Sequence, residues 1–130
     1  MMTQSANGKC KTLIVEDDEP AARALAKVLT SKGHEVNTAG TVGDALAELA
    51  GNPGCVILDL ILPDGNGITV LRRIRRAGME MRVAIVTGMR DPFGIDDITD
   101  LKPDAVFEKP VDAEELVKWL KKGKRKTGAV

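Results

Sequence analysis

Cys55-Val56-Ile57-Leu58-Asp59-Leu60-Ile61-Leu62-Pro63-Asp64-Gly65-Asn66-Gly67 opens as an unbroken apolar run, meets an acid and then passes into turn residues. A short continuous apolar run bounded by breakers is what a strand covered on both faces looks like. Here Asn52-Pro53-Gly54 stands before the run, and the turn from Pro63 to Gly67 follows it. Three other runs end in the same way. Thr12-Leu13-Ile14-Val15 ends in Glu16-Asp17-Asp18, Arg82 to Val86 ends in Thr87, and Ala105-Val106-Phe107 ends in Glu108-Lys109-Pro110. In an open parallel sheet the carboxyl ends of neighbouring strands converge on one crevice, so these polar residues are expected to meet there.

Between the strands the apolar period becomes helical. Glu19 to Lys32 carries Ala21, Leu25, Val28 and Leu29 on one face, with Pro20 in the first turn and Gly33 as the stop. His34 to Thr38 is a weaker edge strand, and His34 itself, the one histidine, reads as part of an exposed turn with no functional role. Val42, Ala45, Leu46, Leu49 and Ala50 keep helical spacing behind a capping pair, Thr41 and Asp44. A third helix points Val70, Leu71 and Ile74 inward and Arg72, Arg73, Arg75 and Arg76 outward, and Gly78 closes it. Pro92 and Gly94 leave only a short or irregular helix between about Pro92 and Leu101. Asp112 and Glu115 cap a last helix with Ala113, Leu116, Val117 and Leu120 inward and Trp119 at the edge of that stripe.

Five strands alternating with five helices predict an α/β domain, a doubly wound five-stranded parallel sheet of flavodoxin-like (βα)5 type with strand order 2-1-3-4-5. The topological switch then lies between the first and third strands, which sets Asp17 beside Asp59. Residues 1–11 are expected to be a disordered leader, 12–122 the domain and 123–130 a flexible basic tail.

The bounds are those of one compact unit: 130 residues build one core and not two. With 19 basic and 19 acidic residues, no net charge drives the chain to nucleic acid or to an anionic membrane. The arginines of the third helix and the basic tail lack interleaved aromatics and read as solvated, so no direct nucleic-acid binding is expected. Cys10 and Cys55 form no disulfide framework, and there is no apolar stretch of export or membrane-spanning length. The expected location is the cytoplasm.

Four motifs in order, Leu13-Ile14-Val15-Glu16-Asp17-Asp18-Glu19-Pro20, Leu58 through Gly67, Val86-Thr87-Gly88 and Glu108-Lys109-Pro110, make the chain resemble the receiver domain of two-component response regulators from Thr12 to Lys122. The resemblance implies that Asp59 is the phosphoacceptor, taking a phosphoryl group from a phosphohistidine on a sensor histidine kinase or a histidine phosphotransfer protein. It implies Mg²⁺ held by Asp17, Asp59 and the main-chain carbonyl of Ile61, with Glu16 supporting through water. Thr87 and Lys109 would each take a phosphoryl oxygen, since phosphoryl transfer is catalysed by positioning and electrostatic stabilisation. Charge agrees: three carboxylates are balanced by a divalent cation and one lysine. Gly88 leaves room for the incoming group, and Pro110 fixes the loop that carries Lys109, its preceding bond being cis or trans.

The chain also departs from the pattern it resembles. Where the family places an aromatic ring three residues before the lysine, as a switch coupled to the threonine, this chain has Val106, with Phe107 beside it. The expected fourth helix is interrupted and acidic at Asp91, Asp96, Asp97 and Asp100, so the output is expected to work by reshaping the loop from Gly88 to Gly94, toward a downstream partner that the sequence does not name. Two rivals are a pseudo-receiver that binds protein without phosphorylation and a flavodoxin-like FMN carrier. The acidic first loop opposes the second, because a flavin phosphate needs donors there.

Overall fold

A computed structural model describes residues 11–88 and 100–122. The leader before Lys11, most of the expected helix between Pro92 and Leu101, the loop beyond Gly88 and the basic tail lie outside the described residues. The elements are β1 (Lys11–Val15), α1 (Glu19–Ser31), β2 (Glu35–Ala39), α2 (Val42–Glu48) with a 3₁₀ turn at Leu49–Gly51, and β3 (Cys55–Asp59). A two-residue hairpin, β4 (Ile61–Leu62) and β5 (Gly65–Asn66), leads into α3 (Ile68–Arg76), followed by β6 (Arg82–Thr87), β7 (Ala105–Glu108) and the helix Ala113–Leu120. β2, β1, β3, β6 and β7 make one parallel sheet in that order, which is the expected 2-1-3-4-5 pattern. The tiny antiparallel hairpin was not foreseen. No helix among the described residues is long and apolar enough to cross a membrane.

Alternation along each central strand splits the core into two layers. Leu13, Val15, Val56, Leu58, Val83 and Ile85 face α2 and α3, whereas Ile14, Cys55, Ile57, Ala84 and Val86 face α1 and the Ala113–Leu120 helix. The strands therefore read as continuously apolar because both faces are covered. α1 begins at Asp18, whose carboxylate accepts from the Ala21 N–H at 3.3 Å, and Pro20 sits in its first turn, where no N–H partner is needed. Thr41 Oγ1 accepts from the Asp44 N–H at 2.9 Å and Asp112 Oδ1 from the Glu114 N–H at 2.9 Å, so both expected caps form.

Four expectations change. His34 is buried, at 3% exposed: the His34 N–H donates to Leu29 O and the Gly33 N–H to Thr30 O, and Gly33 takes a φ of 95°. That closing motif folds the residue after the glycine back under α1. Ala21 is exposed, because the helix turns Ala22 and Leu29 onto the sheet instead. Arg75 leaves the outer arginine face. Its guanidinium donates to the Leu101 and Lys102 carbonyls at 3.0 and 2.8 Å and to Asp104 Oδ2 at 3.2 Å. Asp104 in turn accepts from the Val83 N–H at 2.7 Å, so α3, β6 and the start of β7 are tied at one point.

Arg82 supplies the fourth change. Expected only to open a strand, it is buried, with the guanidinium 4.4 Å from the Trp119 ring centroid. It donates to the Trp119 and Leu120 carbonyls at 2.9 Å each and to Cys55 Sγ at 3.2 Å. The last carbonyls of a helix lack intrahelical partners and carry its negative dipole end, so the cation closes the Ala113–Leu120 helix from the sheet. Phe107 meets Trp119 edge-on at 6.5 Å between ring centroids and completes that packing.

Two expected outcomes follow. Arg82→Ala removes the guanidinium donor from the Trp119 and Leu120 carbonyls and loses the ring contact, and should lower unfolding stability by about 3 kcal/mol in urea titrations followed by Trp119 fluorescence. Gly67→Ala would drive a Cβ into the Asp59 carbonyl and against the Leu60 Cα, backbone that cannot swing aside. It should lower stability by about 2 to 3 kcal/mol and move the Asp59 and Leu60 amide resonances, which unchanged spectra would contradict.

Candidate functional site

Asp59 is the last residue of β3 and is 5% exposed. Its register partner on β6 is Val86, and Val15 pairs with Leu58. The residues that follow these partners, Glu16-Asp17 and Thr87, therefore leave the sheet at the same edge as Asp59. Lys109 comes from the end of β7, where its backbone N–H donates to the Thr87 carbonyl at 2.9 Å. Parallel register alone thus gathers the four strand ends.

The side chains make a charged knot. Lys109 Nζ lies 2.9 Å from Asp59 Oδ2 and 3.7 Å from Glu16 Oε1. The second Asp59 oxygen accepts from the Ile61 N–H at 3.2 Å, and Glu16 Oε2 accepts from the Asp18 N–H at 3.1 Å. One oxygen from each of Glu16, Asp17 and Asp59 falls within 4.8 Å of the others. Burial raises the Glu16 pKa above its ordinary value, and the neighbouring Asp59 charge adds to this against the Asp18 N–H and Lys109. Burial alone would lower Lys109, but its hydrogen bond to Asp59 and the charges of Asp59 and Glu16 win and raise it. Three carboxylates around one ammonium leave surplus negative charge. A cluster of hard oxygens with that surplus fits Mg²⁺, which prefers oxygen ligands and tolerates few of them from protein.

The other expected residues divide. Thr87 stands at the rim, its hydroxyl donating to the Gly88 carbonyl at 3.3 Å. Among the described residues nothing lies within 4 Å of where a Cβ on Gly88 would sit. Lys109–Pro110 is a cis bond, one of the two alternatives open from sequence. Val106 and Phe107 fall on opposite faces of β7: Val106 is 44% exposed, whereas Phe107 packs inward near Trp119. Phe107 therefore cannot supply the ring that Val106 lacks.

Two contributors escaped the sequence reading. Asp18 caps α1 and donates its N–H to Glu16, a role that the acid two residues ahead of Pro20 could have suggested. Alongside the site, a groove of about 740 Å³ runs between α1 and the segment from Pro110 to Ala113. Ile14, Ile57 and Val86 floor it, Ala21, Ala24, Leu25 and Val28 wall it, and Glu16, Asp17, Asp59 and Lys109 stand at its mouth. Alanines where larger residues would close the gap explain the opening.

Known proteins share this sequence pattern and fold. Residues 12–121 match the family described as the response regulator receiver domain. The chain is 31% identical over 121 residues to the transcriptional regulatory protein DltR of Streptococcus agalactiae serotype III (strain NEM316), covering 92% of this chain and 54% of that protein. It is 33% identical over 110 residues to the photosynthetic apparatus regulatory protein RegA of Cereibacter sphaeroides, covering 83% of this chain and 59% of RegA. The chain thus spans little more than half the length of these relatives. The crystal structure of a CheY-like response regulator receiver domain protein from Methanospirillum hungatei JF-1 superposes with a TM-score of 0.77 at 27% identity, over 87% of this chain and 91% of that one. With its sheet order, its acidic strand ends and this match over most of its length, the chain belongs to the response regulator receiver domain family.

Proposed function

We propose that this receiver domain is a phosphoacceptor switch of a two-component or phosphorelay system and that Asp59 accepts the phosphoryl group. The observation that carries this reading is the contact of Asp59 with Lys109 at 2.9 Å inside a cluster of three carboxylates. An ammonium in contact with this carboxylate offsets part of the repulsion from its two acidic neighbours and stands beside the oxygens where a phosphoryl group would arrive.

In the step, an Asp59 oxygen forms a bond to phosphorus as the P–N bond of a partner's phosphohistidine breaks. The electron pair stays on the imidazole, which takes up a proton. Lys109 moves from the Asp59 carboxylate to a phosphoryl oxygen, and the Thr87 hydroxyl, now on the Gly88 carbonyl, turns to another. Asp17, Asp59 and the Ile61 carbonyl, with Glu16 through water, would hold Mg²⁺, which when bound supplies positive charge to the remaining oxygen. Because the charge of a loose transition state sits on those oxygens, placing these groups is most of the catalysis. Gly88 accommodates the added group. The donor, a sensor histidine kinase or histidine phosphotransfer protein, docks along the groove whose mouth holds Asp59. A reducing, cytoplasmic setting suits the buried thiol of Cys55.

Incubation with acetyl phosphate and Mg²⁺ should add one phosphoryl group to the native chain by intact mass and none to Asp59→Asn. An unmodified native chain would make this a pseudo-receiver and end the proposal. Lys109→Ala should slow modification roughly 100-fold by removing a charged oxygen partner. Thr87→Ala should slow it about tenfold, the worth of one neutral hydrogen bond. Equal rates for all three proteins would show that neither group touches the phosphoryl oxygens.

A further inference from the structure

The hairpin after Asp59 carries a carboxylate that none of this chemistry uses. Asp64 sits at the tip between β4 and β5, and its two oxygens accept from the Val42 and Gly43 N–H groups at 2.7 and 3.0 Å. Those are the first two residues of α2, whose opening N–H groups have no partner inside the helix. Thr41 already caps α2 through Asp44, so Asp64 takes the donors that the local cap leaves.

The segment that Asp64 grips also touches the acidic loop. Glu16 donates its N–H to the Ala39 carbonyl at 2.9 Å. A Cβ on Gly40 would lie 3.8 Å from the Glu16 carbonyl oxygen and 3.9 Å from the Asp17 Cα, so the two backbones run in contact. On its other side Asp64 belongs to a loop pinned at its base. Ile61 pairs with Asn66, Leu62 with Gly65, and the Gly67 N–H donates to the Leu60 carbonyl at 2.8 Å. Leu60 and Leu62 are buried beneath the hairpin, whereas Pro63, Asp64 and Gly65 are exposed and the Ile61 side chain is 52% exposed. Apolar packing therefore holds the inner side of this loop, and the Asp64 carboxylate holds its tip.

We propose that Asp64 is a positioning residue for the cation site, a brace that sets the Asp59–Gly67 loop, with the Ile61 carbonyl, at a fixed span from the Glu16–Asp17 loop through residues 39–43. The inference rests on the reading of Glu16, Asp17 and Asp59 as the cation site. A cation that needs ligands from both loops gains affinity when the span is set beforehand, because ordering the loops no longer opposes binding. The two N–H bonds hold the Asp64 pKa below its ordinary 3.8, so the brace stays charged at every pH above that value and is lost only on acidification below it. It is a fixed strut, with no switching near neutral pH.

Calorimetric Mg²⁺ titration of the full chain, Asp64→Ala and Asp64→Asn tests this, beside urea unfolding without Mg²⁺ and amide exchange at Val42 and Gly43. Asp64→Ala should weaken Mg²⁺ binding roughly tenfold, as loss of an outer partner of metal ligands does. Exchange at Val42 and Gly43 should quicken, and Asp64→Asn, which keeps one acceptor, should fall between. Mg²⁺ affinity within about twofold of native in both variants, with only the unfolding midpoint lowered, would reduce Asp64 to a helix cap and overturn the proposal. A native chain that takes no Mg²⁺ would overturn the cation-site reading itself, a result distinct from equal binding by all three proteins.

Discussion

The contact between Lys109 and Asp59 at 2.9 Å decides how the rest of the site can exist. Glu16, Asp17 and Asp59 bring an oxygen each into a space less than 5 Å across, and at that range like charges in partly buried surroundings cannot all be tolerated unaided. Lys109 relieves one of them and leans toward a second, Glu16, at 3.7 Å. Burial raises the Glu16 pKa, and the Asp59 charge adds to that rise. The fold thus stores a demand for positive charge at the one edge where four strand ends meet. In the proposed function a divalent cation would answer that demand, and an arriving phosphoryl group would redistribute it by drawing Lys109 away from Asp59.

How that redistribution travels outward depends on β7. Its alternation puts Phe107 against Trp119, on the layer that α1 and the Ala113–Leu120 helix cover, and turns Val106 to solvent. An aliphatic side chain at the outward position has neither the reach nor the edge polarity of a ring, so among the described residues β7 offers no aromatic side chain on that face. The backbone link is intact, since the Lys109 N–H holds the Thr87 carbonyl at 2.9 Å.

The strands and the polar residues at their ends were legible because each rests on a local pattern. A continuous apolar run needs no partner to be recognised, and Asp59, Thr87 and Lys109 are defined by standing immediately after or at the end of such runs. Sheet order followed from alternation with helices and right-handed crossover. Arg82, Arg75 and Asp64 were not legible, and the reason is common to them. Each is a polar residue whose partner is remote in sequence: Arg82 meets carbonyls 37 and 38 positions away, Arg75 meets carbonyls 26 and 27 away, and Asp64 meets amides 21 and 22 away. Seen alone, a charged side chain on a helix or turn reads as solvated, and nothing local separates Arg72 from Arg75. His34 failed for a nearer reason, since a glycine stop can either release the chain to solvent or fold it back under the helix, and only the second buries the next residue.

Polar residues of this kind do more here than add stability. Parallel strands fix position along the sheet to within a register step, yet of the candidate site only Asp59 and Thr87 end strands, while Glu16, Asp17 and Lys109 sit beyond them, where apolar packing thins out. Placement of those loops falls to directional bonds. Asp64 holds the loop after β3, Arg75 and Asp104 hold the approach to β7, and Gly67 brings the start of α3 so close to the Asp59 carbonyl that no side chain fits between. The hydrophobic effect is non-directional and builds the two layers whatever the loops do. Angular precision at the crevice must come from hydrogen bonds to groups that have few alternatives, such as the first amides of α2 and the carbonyls of Leu101 and Lys102. The division explains why the apolar pattern told the fold while leaving the fine geometry of the site to residues that looked like surface.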